Sequence, residues 1–390
     1  MRTKSPTAAC SQEEKVEFLR DRRQYPDRPA RVAVVETHFA WVFLAGRHAY
    51  KLKKPMRQAS LDYRTIASRE AACRKEVRLN RRLAPSIYIG VVPLTRRRNG
   101  ELALGRGGSV VDWLVKMRRL SAARMLDRVI ARRAISSRDL GSLTDALATF
   151  FRRARREPMT AAAYVSWLRA RTLRNARDLR AADLRLGRER IDPVIRAQLA
   201  FIAGASDLLG ARGAKLIEGH GDLRPEHVWL GPRPVVIDCL EFDPELRRLD
   251  PAEEMAFLAL ECGRLGASRV SEDLLQRYRV AMQDPVPEAL LQFYLSQRAA
   301  TRAKIAAWHL RDPRYRRREW LTRANSYLED ALRCARLALR GIGNEPALLV
   351  RGKRPVAQQR SKRLARQHAP HRLAEQRSDG QRDELVVASG

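Results

Sequence analysis

Three short apolar or alternating runs open the readable part of the chain: "RVAVVET", "AWVFLAG" and "HAYKLKK". The last two are separated by a turn at Gly46, and the set predicts an antiparallel meander. Ala72, Val77, Leu79 and Leu83 then recur near helical spacing from about Thr65 to Leu83, and Pro85 ends the run, so a helix is expected there. "IGVVPLT", "ELALG" and "VVDWLVKMRRL" return to strand pattern. The first part of the chain is therefore a small sheet carrying one helix.

From Ser121 onward, amphipathic stretches rich in Ala, Leu and Arg predominate: Ser137 to Arg156, Ala161 to Leu179, Val194 to Leu209, Leu274 to Met282, and Glu288 to Leu339 in pieces. Their one β-like interruption is "HVWLGPRPVVID", two apolar runs around a proline-cornered turn, which predicts a hairpin. A β-rich part, a connector and a helical part with one embedded hairpin is an uncommon order.

The chain of 390 residues is long enough for two domains or lobes, and its 45% hydrophobic content supplies ordinary cores. A formal net charge of +33, spread as arginine along the whole chain, raises non-specific affinity for nucleic acid. No zinc-finger spacing or aromatic-glycine RNA-binding signature accompanies it. Cys10, Cys73, Cys239, Cys262 and Cys334 follow neither metal-ligand nor disulfide spacing, which suits a reducing compartment. With no signal-like or membrane-spanning stretch, a cytoplasmic protein without membrane association is expected.

Candidate chemistry gathers around the hairpin. "EGHGDLRPEHVWL", Glu218 to Leu230, leads into its first strand, and Asp238 ends its second, so both carboxylates, Asp222 and Asp238, arrive at one end. One can orient or deprotonate a hydroxyl while the other holds Mg²⁺ against phosphate oxygens. In the β-rich part, Lys51 shares a strand face with Ala49, and Glu76 lies in the middle of the following helix. That pairing fixes nucleotide phosphates in the kinase arrangement. Lys53, on the same strand face, and Glu70 are rivals for the two roles. His220 reads as a brace for the loop, and Asp250 before Pro251, with Glu254 a turn later, as a helix start that supports it.

"HGDLRPEHV" resembles the catalytic-loop motif of aminoglycoside phosphotransferase-like kinases, H-G-D-x-x-x-x-N, and "VVIDCLEFD" their I-D metal motif. "ETHFAWVFLAGRHAYKLKKP", "EVRLNRRLAPSIYIGVVPL", "VKMRRL" and "IDCLEFDPELRRLDPAEEMAFLALE" are similar to an uncharacterised bacterial branch of that family, often fused to a P-loop ATP-binding domain. The likeness runs from about residue 15 to about 345. It implies an α+β, protein-kinase-like two-lobe fold: a lead-in over 1–30, an N-lobe and hinge over 31–120, and a helical C-lobe over 121–345. It further implies phosphoryl transfer from ATP, with Mg²⁺ or Mn²⁺, to the hydroxyl of a small molecule. Asp222 would be the base, Asp238 a metal ligand, Lys51 the phosphate contact and Glu76 its partner. "VKMRRL", with Val115 and Met117, would fall at the hinge that carries the adenine on backbone groups.

Two departures stand out. His227 occupies the motif's Asn position, a second metal ligand, and "ETHFAW" carries no glycine-rich loop. Imidazole suits softer metals than Mg²⁺. A nucleotide-binding pseudokinase therefore remains an alternative, as does a metal-dependent hydrolase built on His220, Asp222, His227 and Asp238. "NEPALLV", Asn344 to Val350, looks like the first strand of the fused P-loop domain, but no G-x-x-x-x-G-K-[ST] follows. The expectation for 346–390 is a disordered basic tail left by a lost or frame-disrupted domain.

Overall fold

β-branched and aromatic residues on alternating positions build the first half of the structure, a computed structural model that describes residues 10–343 apart from 59–60, 182–183, 185 and 312–316. The expected tail and the "NEPALLV" strand lie outside the described residues. Helix α1 (Gln12–Arg20) leads into strands β1 (Val32–Glu36), β2 (Ala40–Ala45) and β3 (His48–Lys53). The two-residue strands β4 (Arg57–Gln58) and β5 (Leu61–Asp62) form a side ribbon before α2 (Ile66–Asn80). Strands β6 (Tyr88–Arg96), β7 (Leu102–Leu104) and β8 (Ser109–Arg118) complete a six-stranded antiparallel sheet in the order β1-β2-β3-β8-β6-β7. Both faces of that sheet are covered. Val42, Leu44, Ala49 and Val115 pack with Cys73 and Val77 of α2, while Phe43, Tyr50, Leu52 and Leu114 pack with Leu19 of α1.

Because β3 alternates, Ala49, Lys51 and Lys53 share the α2 face, and the strand thus delivers two ammonium groups to the same interior. A buried triad fixes the lead-in to the sheet and to α2. Asp112 accepts from Lys15 Nζ at 2.8 Å and, through both oxygens, from the Arg69 guanidinium at 2.7 and 2.9 Å.

The second half is helical: α3 (Leu126–Ala131), α4 (Ser137–Arg153), α5 (Ala161–Leu179), α6 (Arg188–Gly204) and α7 (Ser206–Gly210). A loop region follows with β9 (Ile217–Glu218), the β10 (Val228–Trp229) and β11 (Val235–Val236) hairpin, and β12 (Arg248–Leu249), which pairs with β9. Then come α8 (Pro251–Arg264), α9 (Ser268–Met282), α10 (Glu288–Trp308) and α11 (Arg317–Gly341). The pattern located α5 to the residue and the start of α8, but α8 continues as the central helix, buried on every side from Pro251 to Cys262. A helix buried on every side carries no one-sided 3.6-residue stripe, so periodicity does not reveal its length.

The start of α8 is held by charge. Asp250 caps it by accepting from the Ala252 amide at 2.9 Å, and also accepts from Arg212 at 2.6 and 2.7 Å and from the Tyr294 hydroxyl at 2.8 Å. No single helix among the described residues is long and apolar enough to cross a membrane.

Candidate active site

Gly219 to His227 forms a loop between β9 and β10 whose shape is dictated by α8. The buried Glu254 carboxylate accepts from the amides of His220 (3.0 Å) and Gly221 (2.6 Å), and burial pushes its pKa up despite those two donors. Gly221 sits at φ +88°, and a Cβ there would come within 2.9 Å of the Leu246 carbonyl oxygen, so the bend requires glycine. Glu254, one turn after the helix cap, thus carries the turn preceding Asp222.

His220 braces the loop from within. Its Nε2 lies 2.9 Å from the Ile237 carbonyl oxygen and its Nδ1 3.3 Å from the Asp222 amide, which assigns the neutral, Nε2-protonated ring. Burial, reinforced by the neighbouring His227, holds its pKa down at about 3. An unfolded histidine titrates near ~6.5, so between the two values the unfolded chain binds the extra proton, and stability falls as pH drops through this window. The expected loss is at most about 1.4 kcal/mol per pH unit. Chemical denaturation between pH 6.5 and 5 should show that slope, and His220→Gln should make it shallower. The remainder comes from His48 and His309, whose pKa values burial also lowers. An unaltered slope in the variant would remove His220 as the source.

Asp238 closes the other end of the hairpin in a left-handed conformation, φ +63°, which Asp tolerates better than most side chains. Its amide donates to the Tyr88 hydroxyl at 3.2 Å, and the next amide, of Cys239, to Asn80 Oδ1 at 2.9 Å. So held, its carboxylate meets Lys51 Nζ at 2.8 Å, and Lys51 lies 3.1 Å from Glu76 Oε1. Burial works against both charges, but their mutual attraction outweighs it: Asp238 falls to about 2, and Lys51, facing Asp238 and Glu76, rises well above the ordinary lysine value.

Lys53 is not idle beside it. Its ammonium is 2% exposed and lies 2.6 Å from Glu76 Oε2 and 2.5 Å from Glu241 Oε1, which also accepts from the Tyr63 hydroxyl at 2.5 Å. Glu76 therefore serves both lysines, one oxygen each. Lys51, 14% exposed, lines the cleft, and Lys53 is sealed behind it. The rival Glu70 pairs instead with Arg74, a turn along the surface of α2.

Val42, Leu44, Ala49, Met117 and Ile237 line an apolar slot that ends at Lys51, Glu76 and Asp238. The Val115 side chain packs into the core between the sheet and α2, opposite Lys51 in the register and two residues along the strand from Met117, which lines the slot opposite Ala49. The β1–β2 turn, where the glycine-rich loop is missing, is locked by Thr37, whose hydroxyl accepts from the Ala40 amide and donates to the Ala40 carbonyl oxygen, both at 3.0 Å.

Asp222 and Asp238 converge on one imidazole: His227 Nδ1 is 3.6 Å from Asp222 Oδ2, and Nε2 is 3.9 Å from Asp238 Oδ2. The ring is fully buried, and it does not offer a metal the nitrogen expected of it. Nδ1 faces the Asp222 carbonyl oxygen at 2.7 Å, and Nε2 accepts from Arg224 Nη2 at 3.1 Å. Arg224 also pairs with Asp222 at 2.9 Å and with Glu226. Against the cost of burial, Arg224, then His227 and Arg302, hold the Asp222 carboxyl well below the usual range. Arg224 stands two residues after Asp222 in "GDLR", but its burial against Asp222 and His227 is decided only by the fold. Among the described residues no three His, Cys, Asp or Glu side chains group as a metal cage.

No family model matches the chain. An uncharacterized protein of Mycobacterium tuberculosis and its counterpart in Mycobacterium bovis are each 32% identical over 279 residues, covering 70% of this chain and 54% of theirs. The chain spans about half the length of the curated relatives it matches. A choline/ethanolamine kinase family protein from Mesorhizobium loti superposes with a TM-score of 0.50 at 15% identity, over 83% of this chain and 99% of that one. The chain shares the kinase-like fold of that protein. An aminoglycoside 2′-phosphotransferase in complex with GDP aligns over 81% of this chain and 96% of its own, with a TM-score of 0.47 at 14% identity. In this kinase-like fold the sheet and α2 form the N-lobe, and the helices with the embedded hairpin form the C-lobe.

Proposed function

We propose that the protein transfers a phosphoryl group from ATP to a hydroxyl of a small molecule. The observation that carries this reading is the Lys51 ammonium between Glu76 and Asp238 at the end of an apolar slot, with Asp222 across the same imidazole from Asp238. An adenine fits the slot beside Ala49 and Met117. The Arg118 amide is used by the Ile87 carbonyl oxygen and the Arg119 amide by that of Arg47, so the purine would pair with the backbone beyond them, toward Leu120. Lys51 would trade Asp238 for the phosphates.

The donor set fits one hard cation: Asp238 offers a carboxylate, and the nucleotide's own phosphates complete the shell, which is how Mg²⁺ is usually held. Bound there, the cation would neutralise charge on the transferring group. Asp222, strongly acidic, is a poor proton acceptor until the acceptor oxygen has bonded to phosphorus. Its part is to orient the hydroxyl, and the loose transition state of phosphoryl transfer asks for little more.

One observation favours a nucleotide-binding module without turnover: Arg224 occupies both Asp222 and the His227 nitrogen. Calorimetry with ATP and Mg²⁺, followed by ATP consumption over time across hydroxylated metabolites, separates the two readings. Binding with acceptor-stimulated consumption supports the kinase, and binding alone supports the module. No binding with either Mg²⁺ or Mn²⁺ would end both. If Arg224 releases His227 when metal enters, Mn²⁺ should outperform Mg²⁺ and His227→Asn should reverse the order. An unchanged Mn²⁺/Mg²⁺ ratio in the variant leaves His227 as a brace only.

A further inference from the structure

Beside Asp222, α10 presents Arg298 and Arg302 one turn apart, α5 adds Arg171 on the same Glu253 that Arg298 meets, and the loop contributes Arg224. Arg298 donates to the Gly221 carbonyl oxygen at 3.3 Å, which ties this wall to the loop that carries Asp222. Like charges a turn apart on one helix repel, so the arrangement is costly unless counter-charge is supplied.

The protein supplies only part of it. Glu253 is shared by two guanidinium groups, Arg171 at 3.0 Å and Arg298 at 2.8 Å. Glu261 accepts from the Tyr327 hydroxyl at 2.9 Å through both oxygens and lies 3.5 Å from Arg302. Glu254 is committed to the loop amides. Each of these carboxylates already has donors of its own. By contrast, Arg171 Nε and Nη2 are buried without a hydrogen-bond partner, and Arg302 Nε has no hydrogen bond beyond its 3.5 Å approach to Glu261. Buried, unpaired N–H groups are expensive, and a ligand oxyanion removes that cost. A quaternary or primary ammonium placed here would meet guanidinium groups and no uncommitted carboxylate.

We propose that this wall is the acceptor subsite and that it selects a hydroxylated small molecule that also bears an oxyanion, a phosphate monoester or a carboxylate. The proposal rests on the kinase reading for the role of Asp222, and its test is made independent of nucleotide. With the full chain, no nucleotide and fixed ionic strength, calorimetry compares glycerol 3-phosphate and glycerate with glycerol and with choline. At least one of the two anionic probes should bind about tenfold more tightly than glycerol and choline. Arg302→Gln and Arg171→Gln should each weaken that binding about tenfold, with Arg302→Lys weakening it less. Lys51→Met should leave it intact while removing ATP binding. Thermal melts establish that the variants are folded, and Arg302→Lys keeps the comparison open if a neutral variant is not. Binding of choline equal to that of the anions, or of neither anion at millimolar concentration, overturns the proposal. So does anion binding lost in Lys51→Met but kept in Arg302→Gln, which would place the anion in the nucleotide's phosphate site. Failure of the kinase reading looks different: anion binding persists while ATP and Mg²⁺ do not bind.

Discussion

Asp222→Asn is expected to lower phosphoryl transfer about 10³-fold while leaving ATP binding within a few-fold. The amide keeps the shape of the side chain, and the loop that positions it is fixed elsewhere: by Glu254 on the His220 and Gly221 amides, and by His220 on the Ile237 carbonyl oxygen. What the variant loses is the charge that orients a hydroxyl and pairs with Arg224 at 2.9 Å. Released from that pair, Arg224 retains Glu226 and His227 and stays buried. The proposed nucleotide contacts, Lys51 and Asp238, lie across the His227 ring from Asp222, so calorimetry with ATP should change little. Turnover equal to the parent's would exclude Asp222 from the chemistry.

Substitution of the two β3 lysines should separate binding from stability. Lys53→Met leaves the buried Glu241, 2.5 Å from the lost ammonium, with the Tyr63 hydroxyl in place of a charge partner, and takes from Glu76 the nearer of its two lysines, at 2.6 Å. Removing one partner of such a buried pair typically costs about 3–5 kcal/mol. Lys51→Met leaves Glu76 its second lysine and exposes Asp238 to the cleft. Its effect should fall on ATP affinity, with a smaller loss of stability. Urea denaturation and ATP calorimetry on both variants check this. A Lys53→Met protein of parental stability that no longer binds ATP would transfer the phosphate role to Lys53. The sequence pattern placed both lysines on one strand face and assigned the stronger effect on nucleotide binding or turnover to Lys51. The structure divides the effects between them because Glu76 lends each lysine a different oxygen and only one of the two faces solvent.

Much of the fold was legible because its signals are local. Alternation in "RVAVVET" and "AWVFLAG" marks strands β1 and β2, and their observed register, Val32 opposite Ala45 through Glu36 opposite Trp41, follows from a short turn. Ser and Thr caps at Ser136 and Thr160 open helices α4 and α5 where the pattern begins them. Asp222 and Asp238 were legible as a pair because a two-stranded hairpin, pairing Val228 with Val236, necessarily brings its outer ends together.

The sequence by itself determined the two-part order of elements, the hairpin that joins the two carboxylates, and the strand face shared by Lys51 and Lys53. These depend on periodicity and on connections of a few residues, which the chain's local geometry dictates. Only the tertiary structure decided what each charged group faces. Glu241 and Glu76 reach Lys53 across 188 and 23 residues, Arg224 turns to His227 as well as to Asp222, and Arg298 shares Glu253 with Arg171 from a helix 127 positions earlier in the chain. Buried charges must be paired, but many carboxylates satisfy a given guanidinium equally well in sequence. The choice among them is made by helix packing around α8, where distance, desolvation and the number of donors per oxygen act together.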